Sequence, residues 1–192
     1  MTEPKSHVME ESIAVLLEQL GYDLSDQHFL KTPARAAKVL ERYRRKENID
    51  AAARDLVQAV FDEEHDSMVI VGPVKVHSYC AHHMLPVVGR GWIGYVPDGR
   101  VCGLSKLARV MRHYAEQFTV QERVTQQVAN LLDEVLQPKG VMVVIEAEHG
   151  CMRLRGVEEA SSLTVTSAVR GIFQSEMDAR MEFLELTKRN GR

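Results

Sequence analysis

Apolar positions in the first part of the chain recur at helical spacing. Val8, Met9, Ile13, Leu16, Leu17 and Leu20 predict a helix from Ser6 to about Leu20, and Gly21 is placed to end it. "KTPARAAKVLERYRR" reads as a second helix, with Thr32 as N-cap and Pro33 at the first helical position, where its missing N–H costs nothing. A third helix is expected after Asp50, in "AAARDLVQAVF". After "EEHD" the period changes. "SMVIVGPVKVHSYC" and "PVVGRGWIGYVP" are rich in β-branched and aromatic residues punctuated by Gly and Pro, so they predict strands, and Asp98-Gly99 marks a tight turn. Two amphipathic helices follow. Leu107, Val110, Met111, Tyr114 and Phe118 form the apolar stripe of the first, and Val124, Val128, Leu131, Leu132 and Val135 that of the second, which Pro138 and Gly140 stop. "VMVVIEAEHGCMRLRG" and "SSLTVTSAVRG" predict strands again, and "EMDARMEFLELTKR" a closing helix.

The order is an N-terminal helical segment, 1–62, then β-β-α-α-β-β over 63–192. That predicts an α+β domain whose helices cover one face of an antiparallel sheet. At 192 residues the chain can bury one sizeable core. A net charge of -3 and a pI near 6.2 argue against a surface that grips nucleic acid as a whole, so any anion site must be local. The N-terminus is polar and acidic, and no apolar run nears the roughly 20 residues of a membrane span. A cytoplasmic protein, with no membrane partner, is the expectation. Three cysteines without an export signal suit free thiols or metal ligands better than a disulfide framework.

The chemistry gathers in two short stretches. "SYCAHHMLP" holds Cys80, His82 and His83, and "EHGC" holds His149 and Cys151. Read as a strand, the second projects His149, Cys151, Arg153 and Arg155 from one face. A buried free cysteine is commonly just a small hydrophobe, and Cys102, with no histidine beside it, reads as core. Two thiols and three imidazoles together suit a borderline-soft ion such as zinc. Five candidates for at most four places leave histidines over for proton transfer, which favours chemistry over a purely structural metal. Arg35 and Lys38 are three residues apart on one helix, as are Lys106 and Arg109 on another that Ser105 is expected to cap. Singly, such charges are solvated surface; converging on the metal, they would bind phosphate. Thr119 and Glu122 in "TVQE" match a capping box, and that alone could explain the glutamate.

"CAHH", "GLSKLAR", "VQERVTQQ", "EAEHGCMRLRG" and "TVTS", in this order and at these separations, resemble the GTP cyclohydrolase I family. The likeness runs from about "KTPARAAK" to "EFL". It implies the tunnelling fold, a toroidal homodecamer with active sites between subunits, and a zinc ion held by Cys80, His83 and Cys151. It assigns acid-base work to His82 and His149, the guanine edge to Glu122 with Gln121, and ribose and phosphate contacts to Ser105. Lys106, Arg109 and Arg155 would bind the triphosphate, joined by Arg35 and Lys38 from a neighbouring subunit. The implied reaction starts with water at C8 of GTP, opens the imidazole ring, releases formate and recloses on the rearranged ribose as 7,8-dihydroneopterin triphosphate, the entry to folate and pterin synthesis. No redox cofactor is implied. One departure stands out: the family usually reads C-E-H-H, and this chain has Ala81 at the glutamate position. Two other readings stay open, a zinc enzyme acting on another purine nucleotide and a non-catalytic, zinc-containing nucleotide-binding regulator.

Overall fold

The computed structural model describes residues 5–190, with side chains from 7 to 188. The described residues form two compact units that part between Arg45 and Lys46. In the first, α1 (Lys5–Gln19) packs with α2 (Thr32–Glu41), and Gly21, at φ 85°, occupies the left-handed conformation that ends a helix. Thr32 is not the N-cap. The turn before it is already wound, Lys31 takes the cap position, and the Thr32 hydroxyl donates to the His28 carbonyl at 3.2 Å.

The second unit begins with α3 (Ile49–Leu56), followed by β1 (Val60–Asp62), β2 (Val69–Cys80), β3 (Pro86–Val96) and β4 (Arg100–Cys102). Then come α4 (Leu104–Ala115), β5 (Phe118–Thr119), α5 (Gln121–Leu136), β6 (Gly140–His149), α6 (Gly150–Arg153), β7 (Thr164–Gly171), α7 (Ile172–Ser175) and α8 (Met177–Asn190). The main sheet has the order β5-β2-β3-β6-β7; β2, β3, β6 and β7 are antiparallel to their neighbours, and β5 lies parallel to the end of β2. β1 and β4 form a separate two-stranded ribbon.

Alternation along the strands divides the core. Ile93, Tyr95, Val141, Val143 and Ile145 face α4 and α5, where they meet the expected stripes of Leu107, Val110, Met111 and Tyr114 and of Val124, Val128, Leu131 and Leu132. Phe118 has left the first stripe, because α4 ends at Ala115 and Phe118 belongs to β5. Residues one step along point the other way: Trp92, Val96 and Met142 join Phe173 and Phe183, so α8 covers part of the opposite face as well. Gly94 makes room for it, since a Cβ there would lie 2.5 Å from the Phe183 ring. Cys102 is buried in the α4/α5 core, as its sequence context suggests, and burial pushes its thiol up to about 11.

The sheet ends matter for function. β2 and β3 meet through the loop 81–85, β5 pairs with that end, and β6 arrives there at His149, opposite Val87. One end of the sheet therefore collects Cys80, His82, His83 and His149.

Candidate metal centre and its histidines

At the end of β2 the chain turns tightly after Cys80. The Cys80 N–H donates to the Leu85 carbonyl at 2.8 Å, the Met84 N–H to the Cys80 carbonyl at 2.9 Å, and Met84 itself takes a positive φ of 55°. This turn swings His83 back, so that its Nδ1 lies 3.7 Å from Cys80 Sγ, while His82 Nδ1 lies 3.9 Å away.

The second stretch does not continue as a strand. β6 stops at His149, and Gly150–Arg153 form a single helical turn closed by the Leu154 N–H on the Gly150 carbonyl at 2.9 Å. The expected common face of His149, Cys151, Arg153 and Arg155 is thus corrected. The cause is the close packing of Gly150 on the other loop: a Cβ there would sit 3.0 Å from the Pro86 carbonyl oxygen and 3.1 Å from Leu85 Cβ. The turn nonetheless carries Cys151 to Cys80, in a small cluster with Val87 and Ala147. Arg155 returns by another route. Its Nη1 donates to His83 Nε2 at 2.7 Å, whereas Arg153 pairs with Glu148.

The ligand atoms of Cys80, His83 and Cys151 all lie within 4.8 Å of one another. Cys80 is buried, Cys151 half-buried and His83 exposed. Desolvation, and next the neighbouring Cys80 thiol, push the Cys151 thiol above its ordinary value, although Arg155 opposes this. Two neighbouring sulfurs with an imidazole beside them form a donor set that a soft dication would satisfy. These residues fit a metal ion.

His149 is anchored from behind. Its Nε2 lies 2.8 Å from Oε1 of Gln121, the first residue of α5. Gln121 is buried, and its Nε2 donates to the carbonyls of Ile145 and Thr164, both at 3.0 Å, and to Thr166 Oγ1 at 3.1 Å. The expectation that this side chain meets a guanine edge does not match its position, since its amide is fully engaged within the fold. Sequence reasoning missed Thr125 and Thr166, which complete this network; the available signal was the pair of polar residues Gln121 and Thr125 on the otherwise apolar, buried face of α5. Burial lowers the His149 ring below the ordinary histidine value, and the charge of Glu122 partly offsets this.

Glu122 is free of the capping role. The N-cap of α5 is Val120, with no side-chain bond to it, because Thr119 pairs with Cys80 in the sheet and its carbonyl accepts the Ala81 N–H at 3.1 Å. The carboxylate is exposed, on the same first turn as Gln121. Ser105 likewise is not a cap: Gly103 holds that position in α4 and Ser105 is exposed one step inside.

Within the second unit, the phosphate candidates at the start of α4 lie apart from the cysteines and histidines. α4 starts beside Cys102, whose N–H donates to Tyr95 Oη at 3.0 Å, and Tyr95 lies eight residues along β3 from Val87, the partner of His149. At about 3.3 Å per residue that is roughly 26 Å, so the start of α4, with Ser105 and Lys106, belongs to the end of the sheet away from Cys80. Arg109 follows one turn later on the same helix. Arg35 and Lys38 lie exposed on α2 in the other unit. Among the candidates of the second unit, one chain brings together Cys80, His82, His83, Gln121, Glu122, His149, Cys151 and Arg155.

No helix among the described residues is long and apolar enough to cross a membrane. Relatives align along nearly the whole chain. It is 47% identical to GTP cyclohydrolase 1 of Chlorobium phaeovibrioides over 94% of this chain and 80% of that protein. It is 47% identical to GTP cyclohydrolase 1 of Rattus norvegicus over 90% of this chain and 71% of that protein. A solved structure of the archaeosine synthase QueF-Like in the apo form matches 57% of this chain and 96% of its own, at 12% identity and a TM-score of 0.44. The family model for GTP cyclohydrolase I matches residues 9–188, through both cysteine-histidine stretches, α4 and α5, and the chain belongs to that family.

Proposed function

We propose that this protein converts GTP and water into formate and 7,8-dihydroneopterin triphosphate, with zinc held by Cys80, His83 and Cys151. The observation that carries the reading is the convergence of these three side chains from two distant stretches, with His149 and Glu122 beside them. Opening the imidazole ring and expelling C8 as formate consumes two waters, and reclosure on the ribose carbonyl expels one. Zinc, when bound, supplies a charge that makes water acidic near neutral pH. The remaining work falls to the chain. His149, kept neutral by burial, takes and returns protons at the purine, and His82, at the mouth of the group, serves the leaving nitrogen and the ribose. Glu122 accepts from the guanine N–H groups; a base without those donors would leave the carboxylate unpaired, which discriminates strongly. Arg155 meets a phosphate oxygen when its bond to His83 opens.

The triphosphate site draws on a second subunit. Ser105, Lys106 and Arg109 lie on the helix that starts at the far end of the sheet, so they serve the metal centre of a neighbouring copy, and Arg35 and Lys38 also join from a neighbouring subunit. Both outer sheet edges, β7 and most of β2, offer backbone groups to such neighbours. A homodecamer is the assembly we assign, in the cytoplasm, with no membrane or nucleic-acid partner.

Zinc-loaded protein incubated with GTP, dGTP and 8-oxo-GTP tests the reading. Formate and a fluorescent oxidised pterin should appear from GTP in equal amounts. Turnover confined to another purine would shift the substrate, and none with any of them would leave a nucleotide-binding regulator.

A further inference from the structure

The hydrogen bonds behind His149 have a determined direction. Backbone carbonyls only accept, so the Gln121 atom facing Ile145 O and Thr164 O must be the amide nitrogen, and Oε1 is the atom facing His149. An amide oxygen only accepts, so the His149 Nε2, 2.8 Å away, must carry a hydrogen. The rest of the chain follows in the same sense. Thr125 Oγ1 spends its single hydrogen on the Gln121 carbonyl at 2.8 Å, so in the 2.7 Å contact between the two hydroxyls Thr166 is the donor. Thr166 Oγ1 then has lone pairs to receive the Gln121 amide at 3.1 Å. The two hydrogens of the Gln121 amide are shared among three acceptors, and the bonds run in one direction, from the imidazole through Gln121, Thr166 and Thr125 to the first carbonyl of α5. Gln121 is 5% exposed and Thr125 1%, so water does not compete for these bonds.

We propose that Gln121, supported by Thr166 and Thr125, is a positioning residue that fixes neutral His149 as its Nε2–H tautomer and leaves Nδ1 as the only ring nitrogen able to exchange protons with substrate. Reversing the tautomer would set the Nε2 lone pair against Oε1, and the amide cannot flip to relieve it without facing two carbonyls with its oxygen. The ring is thereby held for proton transfer at one atom before substrate arrives, which is what an orienting partner contributes to an acid-base histidine. The catalytic consequence rests on the reading of His149 as a proton carrier; the tautomer itself does not.

The test is solid-state nitrogen-15 NMR of the zinc-loaded protein labelled at histidine, with the His149 signals identified by their loss in His149→Ala. The expected spectrum has a protonated Nε2 and a bare Nδ1 in the neutral ring. In Gln121→Met, which keeps the length and removes the acceptor, both tautomers should appear, and kcat should fall about 10- to 100-fold with KM for GTP changed far less. A wild-type ring protonated on Nδ1 overturns the proposal, and so does a folded Gln121→Met with the wild-type tautomer. If that variant fails to fold, the wild-type spectrum decides alone. A mixed tautomer with undiminished kcat would support the clamp and instead refute His149 as proton carrier.

Discussion

Glu122 shows how one residue's role depends on where its helix begins. "TVQE" offered a capping box, but Thr119 is held by Cys80 in the sheet, α5 starts one residue later, and the carboxylate has no structural bond among the described residues to explain it. Glu122→Gln should therefore leave thermal stability nearly unchanged. It should weaken GTP recognition by about 1.5–3 kcal/mol, the range for a hydrogen bond to a charged group, which is a KM rise of roughly 10- to 100-fold. Steady-state kinetics beside a melting curve checks this; an unchanged KM would remove Glu122 from the guanine site. Ala81 is exposed in the turn after Cys80, so a longer side chain meets open solvent there. Ala81→Glu should raise GTP turnover by up to about tenfold, as regaining a group beside a metal centre does, and unchanged turnover would show that the glutamate is dispensable in this chain. At this scale the metal-ligating types were legible because so few cysteines stand beside histidines. The bonds of Gln121 were not, since its partners, Ile145, Thr164 and Thr166, come from strands more than twenty residues away.

Elements were read well where periodicity is long and poorly where a turn is short. The stripes of α4 and α5 and the β-branched and aromatic content of β2 and β3 are visible in sequence because each spans many residues. The four residues of α6 are too few to show a helical period, and their winding depends on a tertiary contact, Gly150 against Leu85 and Pro86. Gly150→Ala should push these two loops apart and weaken zinc binding by roughly tenfold, read by competition with a chelator; unchanged affinity would mean that the loops give way freely. A second element-level device joins α3 to α4. His113 Nε2 donates to the Ile49 carbonyl at 2.9 Å, and desolvation lowers the ring below the ordinary 6.5, with Lys46 adding to this and the Ile49 bond, Asp50 and Glu116 opposing it. Between the folded value and 6.5 the unfolded chain binds more protons, so this contribution is complete above about 6.5 and is lost as pH falls below it. The slope is at most about 1.4 kcal/mol per pH unit. Melting at pH 7.5 and 5.5 should show a smaller acid loss in His113→Gln than in wild type, and equal losses would contradict the assignment.

Across the whole molecule, strand register separates the metal end of the sheet from the start of α4 by roughly 26 Å. Composition and motif order could not reveal this distance, because the sequence states which residues are needed but not which copy supplies them. If phosphate contacts come from a neighbour, Arg109→Ala and Cys151→Ser should each be nearly inactive alone. Co-expressed, they should form mixed assemblies with about a quarter of the wild-type sites intact, and persistent inactivity would place both residues in one chain's site. The candidate metal ligands come together inside one chain, Cys80 from the end of β2, His83 from the loop after it and Cys151 from the turn after β6. The most direct measurement is a titration of zinc into metal-free protein, following formate released from GTP. Formate release should be absent before zinc is added, rise linearly, and stop rising at about one zinc per chain, as expected for a single three-ligand site with one open position. Release of formate without zinc, or none at full zinc occupancy, would contradict it.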